Sequence, residues 1–152
     1  MKLKKVILTA AATAFILQAS AYAADLTASY SMDDMTGLTY MGTVSNILGQ
    51  KNNAVEFNGG STTLSQFPLS DNFTVSAWIK PSGLTSWERV FDFGSDQKNY
   101  IFLTVNNGNG YPRLAVKYNN QKEQNITSSV SLNKNVWSYV TVTMKDNKAT
   151  MY

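Results

Sequence analysis

The run NFTVSAWIKP (72–81) decides the fold. Stepping by two sets Phe73, Val75, Ala77 and Ile79 on one side. It sets Thr74, Ser76, Trp78 and Lys80 on the other. Apolar and polar residues alternating at that period mark a strand with one buried face. The same rhythm recurs down the chain. NYIFLTV (99–105) sets Ile101, Leu103 and Val105 against Tyr100, Phe102 and Thr104. RLAVKY (113–118) aligns Leu114, Val116 and Tyr118, and WSYVTVTM (137–144) aligns Val140, Val142 and Met144. From Asp25 onward no helical period competes with this one.

Turn residues punctuate the strands. NGG (58–60), PSG (81–83), GSDQKN (94–99), NNGNG (106–110) and KDNK (145–148) are clusters that supply reversals. GGSTT (59–63) and NNGNG are rich in glycine, but they join strands rather than open a helix, so they read as hairpin turns. About nine or ten short strands at this spacing predict an all-β antiparallel sandwich or jelly roll. Residues 33–52 are the least regular stretch and are expected to wrap the edge of the sandwich.

The first residues belong to a different class. Lys2, Lys4 and Lys5 precede the apolar run VILTAAATAFIL (6–17), and AYA (21–23) supplies small residues around a cleavage point before Ala24. This is the layout of a secretory signal peptide helix over 1–23. Its apolar run is shorter than the ~20 residues that span a bilayer. The expected mature domain is therefore 24–152, secreted through the Sec pathway to the periplasm or beyond, with no membrane attachment after cleavage. The leader takes three lysines and no acid, so 13 basic against 10 acidic residues become 10 against 10. With no basic cluster left, nucleic-acid binding has no electrostatic footing.

Composition also closes off catalytic chemistries. Without histidine there is no Ser-His-Asp triad and no imidazole metal site. Without cysteine there is no thiol nucleophile, no disulfide and no thiol for a lipid anchor. Phosphate-loop and dinucleotide fingerprints are missing as well. Two acids remain to be weighed, in WERVFDFG (87–94). In a regular strand Glu88 and Asp92 share a face with Cα atoms ~13 Å apart. Glycosidase pairs stand about 5–5.5 Å or ~6.5–9.5 Å apart. The chain is therefore expected to be no enzyme.

Taken together, ASYSMDD (28–34), NAVEFNGGSTTL (53–64), FTVSAWIKP (73–81), WERVFDFG (87–94), NYIFLTV (99–105), RLAV (113–116) and LNKNVWSYVTVTMKDNKATMY (132–152) resemble the laminin-G-like branch of the concanavalin A-like lectin/glucanase superfamily. The pairing of FTVSAWIKP with a later W-x-x-V-x-V-T strand is the most specific part. The resemblance implies a jelly-roll sandwich and a binding or accessory module, often found beside polysaccharide-degrading domains or in adhesive proteins. In that family the last strand here would lead into further strands. On that comparison the domain is expected to be incomplete at its C-terminus, with roughly 40–60 residues more in a full sandwich. The related glucanases carry an acid cluster whose middle member is absent here, since Arg89 and Val90 follow Glu88.

Two kinds of ligand remain, alongside a third possibility of an extracellular protein partner. Carbohydrate is held by aromatic rings and planar polar groups, and Trp87, Tyr111, Trp78 and Tyr100 are the candidates. Trp78 lies off the Phe73/Val75 face, so it faces either an open sheet or a second core layer. By resemblance, Trp78 and Trp137 occupy framework positions. Calcium would use hard oxygen ligands. The resemblance implies an edge site, for which Asp33, Asp34 and Asn58 are the candidates. The competing functions are a divergent jelly-roll glycoside hydrolase or lyase, and a structural or adhesive protein-binding domain.

Overall fold

The computed structural model describes residues 26–64 and 71–152. The expected leader over 1–23 lies outside the described residues. Nine strands are described: β1 Thr39–Leu48, β2 Asn53–Thr63, β3 Phe73–Ile79, β4 Arg89–Asp96, β5 Asn99–Thr104, β6 Arg113–Lys117, β7 Gln124–Thr127, β8 Ser138–Lys145 and β9 Lys148–Met151. Every pairing is antiparallel. The strands form a ribbon β1-β2, a three-stranded sheet β3-β8-β9 and a four-stranded sheet β4-β5-β6-β7.

The two larger sheets close on one core. Val75 and Val142 from one sheet meet Phe91, Phe93, Ile101, Leu103 and Leu114 from the other. Phe93 and Val142 are fully buried, and the Phe91 and Phe93 rings stack with centroids 4.6 Å apart. Each such side chain contributes about 1.5–3 kcal/mol by leaving water. The alternation in 73–80 is therefore the cause of the sandwich: Val75 and Ala77 are buried, while Thr74 and Lys80 are exposed.

The tight β8–β9 hairpin follows from its turn residues. Asp146 and Asn147 hold φ of 50° and 61°, which suits a mirror-image two-residue turn and the twist of paired strands.

Three expectations change. Residues 33–52 do not merely wrap an edge, because 39–48 form the ten-residue β1. NGG (58–60) is not a turn but a bulge inside β2, where Asn58 and Gly59 both face Thr43. A Cβ at Gly60 would come within 2.6 Å of the Thr43 carbonyl oxygen, so the close crossing requires glycine. Tyr118 does not continue the Leu114/Val116 face. β6 stops at Lys117, and Asn119 and Asn120 turn the chain away with positive φ.

Candidate functional site

The outer face of the four-stranded sheet is built in three rungs. Arg89, Thr104, Arg113 and Thr127 face one another across the strands. Asp92, Phe102, Ala115 and Asn125 form the next rung, and Gly94, Tyr100 and Lys117 the third. Alternation sets Tyr100, Phe102 and Thr104 opposite the Ile101/Leu103 face, the side a half-buried strand leaves open, yet Phe102, Thr104 and Ala115 are buried. The Arg89 guanidinium lies 3.6 Å above the Phe102 ring and pairs with Asp92 at 3.4 Å. Tyr100 stacks beside Phe102 at 5.6 Å and donates its hydroxyl to Glu123 Oε2 at 2.6 Å. Arg113 Nη2 donates to the other oxygen of Glu123. That hydrogen bond to Glu123, followed by burial, raises the Tyr100 phenol above its ordinary pKa.

Trp87 stands at the rim of this face. Its φ is +68°, a left-handed conformation that a bulky side chain rarely adopts. Strain of this kind costs about 1–3 kcal/mol and persists only where the surroundings impose it. Here three hydrogen bonds hold the turn. Trp87 N donates to the Asn106 carbonyl at 2.7 Å, and Glu88 N to the Thr85 carbonyl at 3.2 Å. Arg89 Nη1 donates to the Trp87 carbonyl at 3.0 Å. Trp87 is 45% exposed, and the Arg113 guanidinium lies 5.6 Å from its ring centroid.

Asn106 organises both loops at this rim. Its Nδ2 donates to the Leu84 carbonyl at 2.7 Å, and its Oδ1 accepts from Gly108 N and Gly110 N, each at 2.8 Å. The buried Thr104 hydroxyl donates to the Glu88 carbonyl at 2.7 Å, stapling the start of β4 to the end of β5. Tyr111, half exposed, closes the same 106–111 loop through its carbonyl, which accepts from Asn107 N at 2.9 Å.

Of the four aromatic candidates, Trp87 and Tyr100 therefore belong to one connected face, and Tyr111 lies in the loop beside it. Trp78 does not join them. It projects from the outer face of the other sheet, 5.3 Å from Tyr139, and lines a cleft of about 310 Å³ between that end of the sandwich and the β1-β2 ribbon. Trp137 lines the same cleft, with Lys80 Nζ 5.4 Å from its ring. Sequence reasoning missed Arg89, Phe102, Asn106, Arg113 and Glu123. The Asn-Gly repetition in NNGNG was a signal for Asn106, whereas no local pattern connects Arg113 to Glu123.

Glu88 and Asp92 do not share a face, contrary to the regular-strand expectation. A bulge places Arg89 opposite Thr104 but Phe91 opposite Leu103, so one extra residue, Val90, reverses the alternation between them. Glu88 borders the cleft, while Asp92 lies on the outer face with Arg89.

The three metal candidates are spread along the N-terminal segment and the ribbon. The Asp34 carboxylate accepts from the Thr36 hydroxyl at 2.6 Å and from Thr36 N at 2.9 Å, and these bonds lower its pKa. The Asp33 carbonyl accepts from Asn46 Nδ2 at 2.9 Å. Asn58 pairs with Thr43, three residues from Asn46 along β1, or roughly 10 Å. Among the described residues no group of three or more acidic, histidine or cysteine side chains could hold a metal ion.

The family comparison agrees with this architecture. The family model for the concanavalin A-like lectin/glucanases superfamily, of the laminin G type, matches residues 49–152. The chain belongs to that superfamily. No curated protein and no solved structure matches it.

Proposed function

We propose that this chain is an exported, non-catalytic carbohydrate-binding module that holds sugar on the outer face of its four-stranded sheet. The observation that carries the reading is Trp87, an exposed aromatic kept in a strained backbone conformation beside Arg113. Trp87 lies outside the core cluster and leaves nearly half of its surface open at the rim. Sugar rings offer a C–H face to an aromatic platform and hydroxyls to fixed polar groups around it. Arg89, Asp92, Arg113 and Glu123 supply such groups next to Trp87 and Tyr100. Export is supported by the charged, apolar and small-residue order of residues 1–23.

The test is Trp87→Gly, compared with the parent chain by glycan array and calorimetric titration. Glycine removes the ring and accepts the left-handed backbone. Affinity is expected to fall by about tenfold or more, equivalent to ~1.4 kcal/mol. The melting temperature is expected to fall only modestly, because about 1 kcal/mol or more of relieved strain offsets part of the burial lost with the ring. Unaltered sugar binding would remove this face from consideration. Release of reducing ends from the same glycans would overturn the non-catalytic assignment.

A further inference from the structure

We propose that the sugars taken by this face are uncharged, in preference to uronates or sulfated sugars; the inference rests on the carbohydrate reading above and narrows it. The ligand class follows from how the face disposes of its charges. Arg89 is matched by Asp92 at 3.4 Å, within the same strand. Arg113 is matched by Glu123, whose second oxygen is taken by the Tyr100 hydroxyl. Continuing the β6–β7 register by one residue sets Glu123 across from Lys117, the third cation of the face. Lys117 lies four residues from Arg113, about 13 Å along the strand and away from the Trp87 end.

Both guanidinium groups are also occupied by aromatic rings, Phe102 beneath Arg89 and Trp87 beside Arg113. An anionic sugar drawn to either guanidinium would meet the carboxylate of Asp92 or Glu123 beside it. Like charges at contact distance near a protein surface lower affinity on the order of fivefold to tenfold or more. A neutral sugar meets no such opposition. Hydroxyls can accept from guanidinium N–H groups and donate to carboxylate oxygens, so the paired side chains serve it from both sides. The face thus carries three cations against two carboxylates, and its single surplus charge lies at Lys117, away from Trp87.

The experiment titrates the full chain with mannohexaose and cellohexaose as neutral probes, and with a galacturonate oligomer and a heparin hexasaccharide as anionic ones. Each titration is repeated from about 0.01 M to about 1 M sodium chloride, which shortens the screening length from about 30 Å to about 3 Å. A neutral probe is expected to bind with less than about twofold change across that range, and the anionic probes at least about tenfold more weakly at low salt. Asp92→Asn, a change at an exposed side chain, unbalances Arg89 and is expected to raise affinity for the galacturonate oligomer about fivefold at low salt. Preference for the anionic probes, lost in high salt, would overturn the inference and leave the carbohydrate reading standing. A galacturonate affinity unmoved by Asp92→Asn would show that the pairing does not set selectivity. Binding to no glycan would overturn both.

Discussion

The sandwich has two outer faces, and they are built on opposite plans. On the three-stranded sheet the outward rungs are Thr74, Thr143 and Thr150, then Ser76 and Thr141, then Trp78 and Tyr139. These are small hydroxyl side chains with one aromatic pair at the end, and Thr74 and Thr150 are open to solvent. On the four-stranded sheet the outward positions hold Tyr100, Phe102, Thr104 and Ala115, with arginines and carboxylates laid over them. The first face needs only to be wet. The second adds a layer of rings and ion pairs over the strands, and the proposed binding uses that layer.

The sharpest contrast is in stability. Phe102→Ala is expected to cost about 3–4 kcal/mol, since it empties the space beneath Arg89. Thr141→Ala on the other face should stay within ~0.5 kcal/mol. Denaturant unfolding of the two variants measures both, and equal losses would erase the distinction between the faces.

A smaller effect is expected at the rim. Asn106→Ala leaves the Leu84 carbonyl and the Gly108 and Gly110 amides without their partner, at about 1–3 kcal/mol. It should also weaken sugar binding, because the turn that carries Trp87 loosens. A variant with full binding and parental stability would show that Asn106 does not position that turn.

Much of the sandwich was legible in the sequence because its inner face obeys a local rule. In β3 Val75 and Ala77 are buried between the less buried Thr74, Ser76 and Trp78, and in β8 the buried Val142 sits between the less buried Thr141 and Thr143, so burial follows parity. The outer face of β5 resisted that reading. Phe102 and Thr104 look like the exposed half of a strand until Arg89 and the Glu88 carbonyl arrive from β4. The bulge at Val90 was equally hidden, since one inserted residue reverses parity without any local marker. The NGG segment failed for the reverse reason. Its glycines mimic a turn, but they serve the close crossing of β1 and β2. Trp87 could be picked out as an aromatic beside a turn, but not its positive φ, which arises from hydrogen bonds to Asn106 and Thr85.

The smallest expected effect is a titration. Tyr100 has its phenol pKa raised by Glu123 and burial, and Tyr40 has its own raised by burial and then by Asp34. A raised folded-state value means stability is fully present below the ordinary phenol pKa of about 10 and is lost as pH climbs through the higher folded value. Ultraviolet titration should show late-ionising tyrosines, one fewer in Tyr100→Phe. Loss of a tyrosine from the ordinary range, with the late-ionising group intact, would separate Tyr100 from Glu123.

Chemical-shift mapping during titration with a bound neutral oligosaccharide compares the two faces in a single experiment. The expected result is movement of the Trp87 indole N–H, the Arg113 side chain and the amides of β4, β5, β6 and the 106–111 loop. Signals from Thr74, Ser76, Thr141 and Thr143 should stay still. Shifts concentrated instead at Trp78, Tyr139 and Trp137, with Trp87 unmoved, would contradict the assignment of sugar to the four-stranded sheet.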